Sequence, residues 1–134
     1  GDQIYISSGY GERIHPITKK KGFHNGMDIA APKGTSVLSV SDGIVTKVNN
    51  QFVQGKGYGR FVIVDHQNGF SSLYSQMDSY SVKEGHKISK GELVGTIGTS
   101  GLTTSPHLHF CLKKDGKLVN PADFFEKYLS AYQQ

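Results

Sequence analysis

Between residues 82 and 98 the chain is paced by glycine, at Gly85, Gly91, Gly95 and Gly98, with short apolar pairs in the intervals. That rhythm belongs to a tightly wound β-structure with hairpin turns. The rest of the chain repeats it. Residues 3–8 alternate weakly as a first strand, and residues 9–22 form a Gly- and Pro-containing arm that holds His15. Residues 36–40 and 43–48 read as short strands separated by Ser41-Asp42-Gly43, after turn chemistry at Ala31-Pro32-Lys33-Gly34. Phe61-Val62-Ile63-Val64 reads as a buried strand, Asn68-Gly69 as a hairpin turn, and residues 70–74 as its return strand beside a surface histidine, His66. A Ser-rich connection follows. Asn120 and Pro121 open a short C-terminal helix whose Phe124, Phe125, Tyr128, Leu129 and Tyr132 make an apolar stripe. With 17 glycines, roughly twice the usual share of about 7%, the expectation is a mainly β, single-domain fold.

On that scaffold one stretch carries chemistry. His107 and His109 flank a single leucine, and on a strand they point to the same face about 6–7 Å apart. A second cluster, His24 and Asp28, lies early in the chain with Gly26 between. In a straight strand those two would stand about 13 Å apart, too far to share an ion. A bend at Gly26 brings them together. Two imidazoles and one carboxylate, with water in the fourth position, make the open tetrahedral set of a catalytic zinc site. Such a metal polarises a scissile carbonyl and lowers the pKa of its water, while a nearby imidazole manages protons.

The residues then match a known pattern. His24-Asn25-Gly26-Met27-Asp28, continuing through Ile29-Ala30-Ala31-Pro32-Lys33-Gly34-Thr35, resembles the His-x-Gly-x-Asp segment of the lysostaphin/LytM-type zinc peptidases, the M23 family. Ser8-Gly9-Tyr10-Gly11-Glu12-Arg13-Ile14-His15-Pro16 resembles the lead-in of its Gram-negative members, Asp42-Gly43-Ile44-Val45 its next strand, and Asn120-Pro121-Ala122-Asp123-Phe124 its closing segment. Residues 82–110 resemble its glycine-paced run ending in Pro-His-Leu-His-Phe. The resemblance implies glycine-rich antiparallel sheets forming a long groove, barrel-sandwich-like, with His24, Asp28 and His109 as Zn2+ ligands and His107 as a catalytic histidine. It implies cleavage of peptide cross-links in bacterial peptidoglycan, outside the cytoplasm.

One position departs from the pattern. Where the family carries a second catalytic histidine in Tyr-x-His-Leu or Tyr-x-His-Met, this chain has Tyr74-Ser75-Gln76-Met77. A glutamine amide donates a hydrogen bond but does not titrate, and losing an acid–base group costs on the order of 10²–10⁴ in rate. The expectation is therefore a zinc-binding domain of peptidoglycan remodelling, catalytically impaired, that serves as partner or scaffold of an active cell-wall hydrolase. It would pair with itself or with a related LytM-domain protein. The alternative is an active zinc-dependent DD- or bridge-endopeptidase. Cys111 stands where the resemblance would show glutamate, and it shares a face with the two histidines; a buried core cysteine is favoured over a soft metal ligand or a redox-sensitive thiol.

The bulk properties trim the other classes. The 134 residues fit one domain, read as an excised piece of a longer exported or membrane-anchored protein. A net charge of +4, with one dense run at Lys19-Lys20-Lys21, suits an anionic polymer; without an aromatic stacking platform beside it, nucleic acid is not expected. The single cysteine excludes an intrachain disulfide. Residues 82–98 also resemble half of a biotinyl or lipoyl barrel, but no lysine sits in a Met-Lys-Met setting.

Overall fold

The computed structural model describes the backbone of residues 5–8, 11–14 and 21–24, and both backbone and side chains of residues 26–51, 59–98 and 106–121. Its strands are β1 (Tyr5–Ser8), β2 (Gly11–Ile14), β3 (Lys21–His24), β4 (Met27–Ala30), β5 (Ser36–Leu38), β6 (Gly43–Asn49), β7 (Arg60–Asp65), β8 (Phe70–Tyr80), β9 (Lys87–Ile88), β10 (Leu93–Ile97), β11 (His107–Lys114) and β12 (Lys117–Val119). Every pairing is antiparallel. The mainly β expectation holds, and among the described residues there is no α-helix. The expected C-terminal helix lies outside them.

Ten strands make one sheet, in which β1-β4-β11-β8-β7-β6-β9 run side by side, β10 joins β8 to β5, and β12 pairs with β11. The arm of residues 9–22 is more regular than its Gly and Pro content suggested: β2 and β3 form a separate two-stranded ribbon. His15 lies outside the described residues.

β8 organises the sheet. Its first half lies between β11 and β7, with Ser75 opposite His109 and Leu73 opposite both Cys111 and Ile63. The Ser-rich connection expected after Tyr74 is instead the second half of this strand. At Gln76 the backbone takes φ +66°, and beyond it Met77, Ser79 and Tyr80 pair with β10. A left-handed residue inside a strand swings the chain out of one ladder and into another. Gly95 of β10 and Gly98 just after it belong to this junction: a Cβ on Gly95 would meet the Ser79 carbonyl oxygen at 2.1 Å, and one on Gly98 the Asp78 nitrogen at 2.5 Å. The close approach of the two strands excludes any side chain there.

The core lies on one face. Leu108, Phe110 and Leu112 of β11 pack with Tyr74, Val62, Val64, Val45, Ile29 and Ile97, and the Tyr74 and Phe110 rings meet at 5.4 Å, tilted by 50°. Burying a side chain of this size contributes about 1.5–3 kcal/mol. The Tyr74 hydroxyl does not go unsatisfied. It accepts from the Val40 N–H at 3.0 Å and lies 2.8 Å from Ser72 Oγ, which is 2.8 Å from His66 Nε2; His66 Nδ1 donates to the Asp42 carbonyl at 2.7 Å. His66 is thus structural, as expected, but buried rather than on the surface.

Candidate functional site

Alternation that sends Leu108, Phe110 and Leu112 into the core leaves His107, His109 and Cys111 on the opposite face of β11. The same rule on β4 buries Ile29 and turns Asp28 the other way. Register then sets Asp28 directly opposite His109, and Ala30 opposite His107. Directly opposed Cβ atoms in an antiparallel pair stand about 4.5–5.5 Å apart, so these side chains must meet.

They do. His109 Nδ1 lies 2.8 Å from Asp28 Oδ1, and His107 Nε2 lies 3.7 Å from the same oxygen. The carboxylate only accepts, so in this arrangement His109 Nδ1 carries the proton. The side chains are 9% (His109), 13% (His107) and 20% (Asp28) exposed, a cluster mostly withdrawn from water but open on one side. Ser75 Oγ donates to the His109 carbonyl at 3.0 Å and pins β11 to β8.

Gly26 explains how the early segment reaches this place. The straight strand considered for residues 24–28 does not exist: β3 ends at His24 in the small ribbon, the chain bends at Gly26, and β4 begins at Met27 in the large sheet. A Cβ on Gly26 would stand 2.3 Å from the Phe110 carbonyl oxygen and 2.8 Å from Cys111 Sγ. Only glycine lets the chain lie this close to β11 just before delivering Asp28. The His24 side chain lies outside the described residues.

Cys111 is buried, as expected, yet it belongs to the site face and not to the core. Its Sγ is 3.2 Å from His109 Nε2. Because the two ring nitrogens sit on opposite edges, the sulfur and Asp28 lie on either side of the imidazole. Cys111 is therefore not placed to share an ion with Asp28. Burial pushes the Cys111 thiol up to about 12, with the Asp28 charge adding to the shift and Lys113 opposing it. Beyond the sulfur the same face opens into a cleft of about 310 Å³ lined by Phe61, Ile63, Leu73, Cys111, Lys113 and Leu118, with Ser71 and Ser72.

Gln76 is 5% exposed, and its Oε1 is shut off from solvent. It follows Ser75, the partner of His109, at the bend of β8. A non-glycine residue in the left-handed region costs roughly 1–2 kcal/mol, and such strain concentrates at functional positions.

The donor set suits zinc. Two ligands of one tetrahedral zinc, each bonded at about 2.0–2.2 Å, stand about 3.3 Å from each other, and the one described pair of expected ligands, His109 Nδ1 and Asp28 Oδ1, stands 2.8 Å apart, so a small widening of that pair would admit the ion. Among the described residues no three His, Cys, Asp or Glu side chains close into a complete metal cage.

A family model described as peptidase family M23 matches residues 22–121, a span that begins within β3 and ends two residues past β12. The chain belongs to the M23 peptidase family. Among its relatives, the DD-carboxypeptidase/endopeptidase Mpg of Neisseria meningitidis is 40% identical over 116 residues, covering 87% of this chain and 26% of that protein. The murein hydrolase activator NlpD of Escherichia coli is 33% identical over 111 residues, covering 83% of this chain and 28% of the relative. This chain thus spans about a quarter of the length of the curated relatives it matches. Among solved structures, a mutant catalytic domain of the prophage-encoded M23 protein EnpA from Enterococcus faecalis superposes with a TM-score of 0.78 at 31% identity, over 92% of this chain and 93% of that one. A zinc-containing peptidase from Vibrio cholerae gives 0.77 at 32% identity, over 87% of this chain and 35% of the other. The fold is that of the lysostaphin-type M23 catalytic domains.

Proposed function

We propose that this M23 domain binds zinc through Asp28, His109 and His24 and acts on the peptides of bacterial peptidoglycan, outside the cytoplasm, with hydrolysis impaired by Gln76. The observation that carries the reading is the convergence of His109 Nδ1 and His107 Nε2 on one oxygen of Asp28, at 2.8 and 3.7 Å. A zinc held there would supply Lewis acidity for a scissile carbonyl and a water acidified toward neutrality.

The chain's own groups do the rest. Asp28 and His109 fix the face toward which the substrate must present its carbonyl. His107, 13% exposed, stands at the open side of the cluster, where it can take or return a proton. Gln76 occupies the place of the family's second histidine. Its amide can hold a water or an oxyanion by hydrogen bonding, but it cannot move a proton. The expected penalty is on the order of 10²–10⁴ in turnover. A domain with ligands kept and one acid–base group lost suits a partner or scaffold of an active hydrolase, in self-association or with a related M23 domain. The similarity to NlpD, a murein hydrolase activator, supports that role.

A second reading is favoured by one observation: the 40% identity to Mpg, a DD-carboxypeptidase/endopeptidase. Under it the chain is an active zinc endopeptidase that tolerates glutamine at position 76. Muropeptide release from purified peptidoglycan separates the two, run on the zinc-loaded domain beside its Gln76→His and His107→Ala variants. Impairment predicts release by Gln76→His far above that of the native domain. Release by the native domain equal to that of Gln76→His, and abolished by His107→Ala, would overturn impairment in favour of the endopeptidase.

A further inference from the structure

Cys111 has no part in the chemistry assigned above, yet it touches the centre of it. Its Sγ lies 3.2 Å from His109 Nε2, on the ring edge opposite the one that faces Asp28 at 2.8 Å. The contact is built in. Cys111 is 4% exposed, and the missing side chain of Gly26 is what leaves room for the sulfur, since a Cβ there would stand 2.8 Å from Sγ.

A thiol is one of the few small groups that both donates and accepts a hydrogen bond. With Nδ1–H donated to Asp28, Nε2 holds a lone pair and the S–H can donate to it. With the Nδ1 lone pair committed to a metal, Nε2 carries the proton and donates to the sulfur. An aliphatic side chain serves neither tautomer, and a carboxylate serves only the second. Outer hydrogen bonds of this kind fix ring orientation in metal-ligating histidines, and removing one costs about 10–100-fold in metal affinity.

We propose that Cys111 is a positioning residue for His109, its thiol holding the ring through Nε2 in both tautomers so that Nδ1 always faces Asp28. The inference rests on the zinc reading above but not on turnover, so a domain that never cleaves peptidoglycan still tests it.

The experiment uses zinc as the probe on the whole chain, with two readouts. Competition against a chromophoric chelator gives zinc affinity for the native protein, Cys111→Ser and Cys111→Val, and histidine 15N NMR gives the His109 tautomer with and without zinc. The expected result is that Cys111→Val, with its fold checked by circular dichroism, loses about tenfold in zinc affinity, the low end for a weak acceptor. Cys111→Ser, which keeps a donor and an acceptor, retains most of it. In the native protein the His109 proton moves from Nδ1 to Nε2 as zinc binds. Equal affinity in all three proteins would overturn the proposal. If Cys111→Val does not fold, the native spectrum decides alone: a zinc-bound His109 that keeps its proton on Nδ1 would overturn it. A native domain that takes up no zinc would overturn both this inference and the zinc reading, whereas zinc uptake without peptidoglycan cleavage bears only on turnover.

Discussion

His66 and His109 are buried to nearly the same degree, 8% and 7% exposed, and each has both ring nitrogens engaged. They differ in what they face. His66 lies among neutral groups, the Asp42 carbonyl and the Ser72 hydroxyl, in a chain that ends at Tyr74 and the Val40 N–H. His109 lies between a carboxylate and a thiol, beside a second imidazole that is partly open to solvent. The first arrangement satisfies core polar groups and leaves nothing over. The second gathers a carboxylate and two imidazoles on one face of the sheet, the kinds of group a cation site uses. Partner chemistry, not burial, separates the structural histidine from the proposed zinc ligand.

The sharpest way to break this comparison is to remove one partner from each cluster. Asp28→Ala is expected to abolish stoichiometric zinc binding. His66→Ala is expected to leave zinc stoichiometry intact while costing about 2–4 kcal/mol in urea unfolding, through the cavity and the unpaired Ser72 and Asp42 groups. Zinc lost in folded His66→Ala would erase the distinction. A smaller effect is expected from Gly26→Ala. Overpacking against the Phe110 carbonyl should cost about 1–3 kcal/mol, and zinc affinity should fall as well, because the clash displaces the segment that carries Asp28. Tyr74→Phe should cost about 1–2 kcal/mol by orphaning the Val40 N–H and shortening the Ser72 chain. Its zinc affinity should match the native value.

A third histidine sharpens the comparison from the other side. His86 also has a carboxylate partner, Glu92 Oε2 at 2.8 Å, but the pair is exposed. The Ser89 N–H, and after it His86, hold the Glu92 carboxyl below its ordinary value of 4.5. A carboxyl depressed on folding adds stability above its unfolded pKa, and that stability is lost as pH falls through the folded value. Glu92→Gln should therefore be slightly less stable than native at neutral pH, and the gap in thermal midpoint should close once pH drops below the folded pKa of Glu92. Zinc binding should not change. This is the smallest effect of the set, because water screens the pair.

Much of this was legible in the chain itself. Period-two alternation on residues 107–111 was enough to place His107, His109 and Cys111 on one face, and glycine pacing was enough for a β-fold. What was not legible came from pairings distant in sequence. His66 reads as a surface histidine because its burial depends on Ser72, Tyr74 and Asp42 closing around it across strands. β8 looked finished at Tyr74, since the polar Ser75, Gln76 and Asp78 resemble a loop. They are held in strand by the change of partner from β11 to β10 at Gln76. Gly26 was expected to supply a bend. It does so, and it also vacates the space that the Phe110 carbonyl and the Cys111 sulfur fill, a requirement set by β11 more than eighty residues later.

The most direct test of the central claim is a crystal structure of the zinc-soaked protein with anomalous data collected at the zinc edge. One strong peak is expected about 2.0–2.2 Å from a carboxylate oxygen of Asp28 and from His109 Nδ1, the distances of a zinc bond, with His24 as the third protein ligand. A peak at His66, or none beside Asp28 in a crystal that has taken up zinc, would contradict it.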